Sequence, residues 1–425
     1  MYALRLTIDN LRSFDHAVIE LNRPGEPCGA SVEFDNVNLL LGDNGSGKTT
    51  LLGALALAAL APVMPGSGWV PYCMVRRLAG RQPLAAKAEV DLALHAQDGG
   101  AQEANLRLAL WPTPGFVDRL SPAPDTPPWT EPMWDDQSAA FLVLGYGAGR
   151  RVESRSGGPD ESRHKTRALR YDRVAGLFDE AATLVHLAAW WPHLRTSQPE
   201  RYDDVRALLN RLLPQGELLA DASEDEPLFR LFGSDLPLRA LSDGYRAYIG
   251  WVADLLFHLH RSTPAGATLD ATRGIVLVDE VDLHLHPAWQ RRVIPTLARA
   301  LPRLQFVLTS HSPLVVGTLR RENVFVLESR ADTVADAHAT HVQPARGEAW
   351  GLSADQILTS GHFGLDSARN DDFVRRLREQ AHQARTGDPE AALAFMRSWA
   401  LGGAEEDDRE ERLRERADGE RFHEL

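Results

Sequence analysis

Gly42-Asp43-Asn44-Gly45-Ser46-Gly47-Lys48-Thr49 lies between an apolar run, Val37 to Leu41, and an alanine- and leucine-rich stretch, Leu51 to Ala61. It fits GxxxxGK(S/T) at every required position, and its flanks supply the strand and the helix that this pattern needs. In that context a glycine-rich turn points successive backbone N–H groups inward, so loop and helix N-terminus together cradle a triphosphate. Asn44, Gly45, Ser46, Gly47 and Thr50 are the expected cradle. Lys48 brings a point charge to the outer phosphates, and Thr49 offers a hydroxyl to Mg2+. Lys48, Lys87 and Lys165 are the only lysines, every other fixed cation being arginine. A lysine has been kept where a compact ammonium serves better than a planar fork.

Further segments follow in a fixed order: Leu241-Ser242-Asp243-Gly244, then Ile275-Val276-Leu277-Val278-Asp279-Glu280, then Thr309-Ser310-His311. Asp279 ends an apolar strand, where a carboxylate completes an Mg2+ shell beside a phosphate loop. Neighbouring strand residues point to opposite faces, so Glu280 takes a different task, polarising the attacking water. His311, just past the next strand, is placed to hydrogen-bond a γ-phosphate and keep Glu280 and water in line. Ser242 and Gly244 open a helix and make a second anion-binding N-terminus. One chain does not easily bring two helix N-termini to one γ-phosphate, whereas a second copy can.

At 425 residues and 44% hydrophobic, the chain buries a sizeable core in about two or three structural units. The richest apolar stretch, Leu51 to Met64, is shorter than the roughly 18 residues that span a bilayer, so no membrane association is expected. Met1-Tyr2-Ala3-Leu4-Arg5 lacks the regions of a signal peptide, which predicts a cytoplasmic protein. Cys28 and Cys73 form no C-x-x-C and support neither a disulfide framework nor a cysteine zinc site. The net charge of −13 opposes long-range attraction to nucleic acid, so any DNA or RNA contact must be local. Arg150 to Arg173, where basic residues outnumber acidic ones, is the candidate for such a contact; a solvated loop and helix face is the alternative reading.

Along the chain, residues 3 to 41 alternate in a strand-like way, with turn residues at Asn22 to Gly25, and Ala86 to Leu94 and Ala104 to Trp111 add a strand pair. Ser121 to Pro132 reads as loop and Phe141 to Leu144 as a buried strand. Apolar positions at helical spacing (Leu177, Ala181, Leu184, Leu187, Trp191, then Val205, Leu208, Leu209, Leu212) predict a helical lobe with Trp190-Trp191 in its core. Leu238 to His260 predicts a long helix. Ile275 to Val278 and Phe306 to Thr309 are the short apolar runs that a parallel sheet buries on both faces, with a helix, Trp289 to Ala300, between them and a strand at Asn323 to Leu327. Ala354 to Leu358 and Asp372 to Ala384 are helical, and Glu405 to Glu420 is a charged tail, either a solvated helix or a partly disordered end. The expectation is an α/β fold: a mixed central sheet, an N-terminal antiparallel subdomain, an inserted helical lobe and a helical C-terminal extension. Its divisions are residues 1–150, 151–240, 241–330 and 331–425.

Taken together, these motifs resemble the ATP-binding-cassette (ABC) P-loop ATPases, in the soluble branch with SMC, RecF and overcoming-lysogenization-defect proteins. Asn44 to Thr50 is similar to that family's Walker A, Leu241 to Gly244 to its signature, Val278-Asp279-Glu280 to its Walker B, Asp282 to the start of its D-loop and His311 to its switch histidine. Ile8-Asp9-Asn10-Leu11-Arg12-Ser13-Phe14 resembles the opening of RecF-like ATPases, which implies that Arg12 reaches nucleotide. The resemblance implies a head-to-tail homodimer that sandwiches two ATP molecules with Mg2+. The glutamine of the family's Q-loop is absent; Gly145-Tyr146-Gly147-Ala148-Gly149-Arg150 stands there, leaving Arg150 as a candidate for that place. No coiled-coil arm interrupts the ATPase halves. The whole, with Gly351 to Leu358 and Phe363-Gly364-Leu365, looks most like stand-alone ATPases of Septu-type and retron-linked anti-phage systems, which work with a separate HNH nuclease. His284-Leu285-His286 reads as part of the D-loop rather than a metal site. The implied function is Mg2+-dependent ATP hydrolysis that switches a partner nuclease in anti-phage defence or DNA repair; a nucleotide-sensing scaffold with negligible turnover is the alternative.

Overall fold

The computed structural model describes residues 1–26, 33–98, 100, 102–121, 127–135, 138–152, 169–213, 217–219, 227–231, 233–264, 266–331, 338–386 and 389–401. The alternating N-terminal segments form β1 (Tyr2–Leu11) and β2 (Phe14–Glu20). The continuous apolar run before the glycine loop forms β3 (Val37–Gly42), and the segment after it forms α1 (Lys48–Ala59). Next come β4 (Ala86–Ala93), β5 (Glu103–Trp111) and the short β6 (Arg119–Leu120). β2-β1-β4-β5-β6 is an antiparallel sheet, with Ala86, Ala88, Val90 and Leu92 of β4 buried at every second position.

After β7 (Val143–Tyr146) and β8 (Arg151–Val152), the lobe contains α2 (Leu169–Asp172), β9 (Thr183–Leu184), α3 (Leu187–Ser197) and α4 (Pro199–Leu212). It also holds three short strands, β10 (Glu217–Leu219), β11 (Leu228–Leu231) and β12 (Ser234–Pro237), which form an antiparallel sheet. The sequence was expected to be helical there. Period-2 alternation in β11, with Phe229 and Leu231 buried and Arg230 outward, is too short to stand out before folding. Trp190 and Trp191 are buried and meet edge to face, as core residues do.

The remaining elements are α5 (Asp243–Ser262), β13 (Gly274–Val278), α6 (Pro287–Ala300), β14 (Leu304–Thr309), α7 (Pro313–Val316), β15 (Val324–Ala331), β16 (His338–Pro344), α8 (Ala354–Leu358), α9 (Asp371–Arg385) and α10 (Pro389–Leu401). α5 starts at Asp243 rather than Leu238, because 238–240 forms a separate 3-10 turn and Ser242 is extended. β16, expected within the helical extension, instead pairs antiparallel with β15 at the edge of the main sheet. Residues 128–134, expected as loop, make a 3-10 helix. The charged tail at 405–420 and the glycine-serine cluster at 156–162 lie outside the described residues.

The main sheet has the order β16-β15-β3-β14-β13-β7, parallel except at β16. Both its faces are covered. Val276 and Val278 of β13 point into the core formed with α3 to α6, and Ile275 and Leu277 into the core shared with α1 and the antiparallel sheet. α1 touches both sheets, which explains a helix buried on all sides with only Thr49 open. The chain divides into two compact units, residues 1–357 with 361–363, and 358–360 with 364–425. In the described part of the second unit, α9 packs on α10 and is capped by Asn370, whose side chain accepts from the Asp372 and Phe373 N–H groups. No helix among the described residues is long and apolar enough to cross a membrane.

Leu277 is fully buried in β13. Leu277→Ala should lower unfolding free energy by about 2–5 kcal/mol in denaturant titration; a loss below about 1 kcal/mol would show that β13 is not packed on both faces.

Candidate functional site

The parallel order of β3, β14 and β13 brings the C-terminal ends of three strands side by side, and the site is built there. After β3 the chain turns through Gly45 (φ +80°) and Gly47 (φ +96°) into α1. A Cβ on Gly47 would lie 2.6 Å from Ser13 Oγ and 2.8 Å from the Phe14 ring, so only glycine lets the loop approach β2 this closely. Asn44 and Gly45 are exposed at the loop tip, and Thr50 is buried in the first turn of α1. The Oγ atoms of Ser46 and Ser13 are buried and unpartnered beside the loop. Orphaned donors in a glycine cradle at a helix start fit phosphate oxygens. Lys48 Nζ donates to the carbonyls of Gly42 (2.8 Å) and Asp43 (2.9 Å). Desolvation lowers its pKa, with Asp279, Asp43 and Glu280 opposing.

Across the loop, Asp279 is gripped from two sides. Thr49 Oγ1 donates to Asp279 Oδ2 and Thr309 Oγ1 to Asp279 Oδ1, both at 2.6 Å. The same Thr309 hydroxyl accepts from the Glu280 N–H (2.7 Å), and Val281 N–H donates to the Thr309 carbonyl (2.9 Å). Thr49 and Asp279 thus present adjacent hard oxygens. Among the described residues no cluster of three or more His, Cys, Asp or Glu could hold a metal alone. Two protein oxygens suit Mg2+, which takes the rest of its shell from phosphate and water. Glu280 is half-buried with φ +48°, a left-handed backbone that a non-glycine residue adopts only when its surroundings hold it there. His311 is exposed, two residues beyond the end of β14.

Arg12, also left-handed (φ +48°), receives its position from backbone bonds to the 72–76 segment: its N–H donates to the Met74 carbonyl (2.8 Å) and its Nε to that of Cys73 (3.3 Å). A cavity of about 1310 Å3 is lined by Arg12, Thr49, Thr50, Tyr146, Arg150 and Asp279, among others. Ser242 and Gly244 do not line it. Ser242 is exposed in an extended conformation just before α5. A Cβ on Gly244 would sit 2.5 Å from the His284 carbonyl, so this helix start lies against the loop after Glu280 of its own chain. His286 is a helix cap, its side chain accepting from Ala288 N–H.

Thr309 had no role assigned from sequence, and Arg150 was only a candidate for the place of the absent glutamine and for a nucleic-acid contact. Thr309 stood within a quoted motif, and its place at the end of an apolar strand beside Asp279 was the available signal. Arg150 donates through Nη2 to the carbonyls of Asp279 and, at 2.5 Å, Glu280, and through Nε to that of Gly147 (3.2 Å). Burial pushes its pKa down to about 10, against the pull of Asp279, Asp282 and Glu280, so it stays charged at neutral pH. Gly145 and Gly147 stand where the family's glutamine loop would be because the backbone of 174–177 runs against them; a Cβ on Gly147 would lie 2.0 Å from the Gly176 carbonyl. Two arginines of the stretch expected to meet nucleic acid have partners within the chain. Arg150 is spent on backbone carbonyls, and Arg170, 1% exposed, donates to the carbonyls of Ala140, Phe141, Pro132 and Asp135. Neither offers its guanidinium to a phosphate backbone; Arg155, Arg163, Lys165 and Arg167 lie outside the described residues.

The fold is that of an SMC head, with the glycine-lysine loop set between β3 and α1. The head of an SMC protein, solved bound to the C-terminal winged-helix domain of ScpA, superposes with a TM-score of 0.50 at 15% identity, covering 81% of this chain and 98% of that one. Residues 5–66 match a family described as "AAA domain", and residues 154–317 one described as "AAA domain, putative AbiEii toxin, Type IV TA system". More particularly, the chain is similar to Septu protein PtuA of Bacillus mycoides (strain KBAB4), with 26% identity over 77% of this chain and 40% of that protein. It is also similar to the Retron Ec83 probable ATPase of Escherichia coli, with 40% identity over 22% of this chain and 17% of the relative. The matched stretches span less than half the length of these relatives.

Lys48→Ala should weaken binding of a fluorescent ATP analogue at least ~30-fold, about 2 kcal/mol, with the fold retained by circular dichroism. Unchanged affinity would contradict the cradle.

Proposed function

We propose that the chain is a Mg2+-dependent ATPase whose ATP-bound form is a head-to-tail homodimer, each site built from Gly42 to Thr50 of one copy and Ser242 to Gly244 of the other. The single observation that carries this reading is the exposure of Ser242 outside the cavity that holds Thr49 and Asp279. A helix start open to solvent suits the phosphate of a facing copy.

Within each site the roles follow from the geometry. Loop amides, the Ser46 hydroxyl and Lys48 bind the phosphates, and Arg12 lines the same cavity as Thr49 and Thr50. Thr49 and Asp279 would hold Mg2+, which would supply positive charge against the phosphates. Glu280 accepts the proton of the attacking water, and His311 bonds the γ-phosphate and keeps water in line. The likeness to Septu PtuA and retron ATPases supports a place in anti-phage defence, with dimer opening and closing passed to a separate nuclease, an HNH enzyme in the systems that this chain resembles. Turnover distinguishes this reading from a scaffold that only holds ATP.

Glu280→Gln should bind ATP with wild-type affinity, lose at least ~100-fold in turnover and accumulate as a dimer in light scattering with ATP. Wild-type turnover in this variant would remove Glu280 from its role. Ser242→Arg should bind ATP yet stay monomeric; an ATP-induced dimer of that variant would refute the shared site.

A further inference from the structure

We infer that Arg150 is the positioning residue for Glu280: it clamps the carbonyls of Asp279 and Glu280 and holds the glutamate in its left-handed conformation, in the place where related ATPases use a glutamine loop. The inference rests on the proposed hydrolytic role of Glu280.

The peptide on either side of Glu280 is held by two groups from different parts of the chain. Thr309 accepts the Glu280 N–H (2.7 Å), and Arg150 Nη2 donates to the Glu280 carbonyl (2.5 Å) and to that of Asp279. Two successive carbonyls converge on one nitrogen only if the chain turns sharply between them, which the Glu280 φ of +48° accomplishes. Left-handed backbone is disfavoured for any residue with a Cβ, so it must be imposed from outside. Arg150 is itself fixed by its Nε bond to Gly147 and by the Trp251 ring 5.6 Å from its guanidinium carbon. Gly147 in turn is pressed against Gly176. A chain of contacts therefore runs from the lobe through Gly147 and Arg150 to the backbone of the water-activating residue.

Arg150 is not part of the phosphate loop, and its side-chain bonds go to carbonyls. Its loss should let Glu280 relax to ordinary φ and swing its carboxylate away, leaving nucleotide binding intact. Arg150→Met keeps the length and removes the donors; Arg150→Lys keeps a single charged donor and guards against a folding failure of the first variant. In single-turnover assays Arg150→Met should lose ~10–100-fold in rate with ATP affinity within ~3-fold of wild type, and Arg150→Lys should recover part of the loss. In a Glu280→Gln background the same substitution should change the residual rate less than ~2-fold, because it acts through the carboxylate already removed. A structural defect, or direct contact of Arg150 with phosphate, would multiply the two losses or weaken ATP binding, and either result overturns the inference. Hydrogen exchange supplies a readout independent of turnover: Arg150→Met should raise exchange of the Glu280 and Val281 amides at least ~10-fold, and unchanged protection there overturns it. A wild-type protein without ATP turnover would count against the proposed function alone, since the exchange experiment still decides the clamp.

Discussion

The carboxylate of Asp279, held at 2.6 Å by Thr49 on one oxygen and by Thr309 on the other, is the interaction on which the site depends. It joins the start of α1, the end of β13 and the end of β14, segments that meet only because β3, β14 and β13 are parallel neighbours. A carboxylate taken out of water must be compensated by donors. Both threonine hydroxyls supply that compensation. Thr309 further spends its lone pair on the Glu280 amide, so Asp279 and Glu280 share one anchor.

Close backbone approach sets the remaining geometry. Gly47 against Ser13 and Phe14, Gly147 against Gly176, and Gly244 against His284 are positions where a single methyl would collide with neighbouring atoms. The first lets the phosphate loop sit low on the antiparallel sheet. The second brings the lobe to the end of β7, and the third lays the start of α5 on the loop that follows Glu280. In consequence, the start of α5 and the loop leaving Glu280 are in contact within one chain.

The phosphate loop, β3, α1, β13 and β14 were legible in the sequence because each is specified locally, by a glycine-lysine pattern or by an apolar run of the length a buried parallel strand needs. The edges were less so. β16 carries a weak apolar signal, since an edge strand is fixed by its backbone partner, and β10 to β12 are shorter than the window in which period-2 alternation emerges. Arg150 illustrates a different limit. Its partners are carbonyl oxygens about 130 positions away, which carry no residue-type signature, so only the folded chain reveals what the arginine does. Arg170 is a second case: its charge is visible in the sequence, but the carbonyls of Ala140, Phe141, Pro132 and Asp135 that receive its hydrogen bonds are not.

The central claim is that one triphosphate is held by two copies of the chain. It is tested most directly by mixing two inactive variants, Lys48→Ala, with a broken cradle and intact helix start, and Ser242→Arg, with the reverse. In a head-to-tail dimer each mixed pair contains one site made from two unaltered halves, so the mixture should regain ATP turnover that neither variant shows alone. A mixture of folded variants that form mixed pairs yet stays as inactive as either alone would contradict the account.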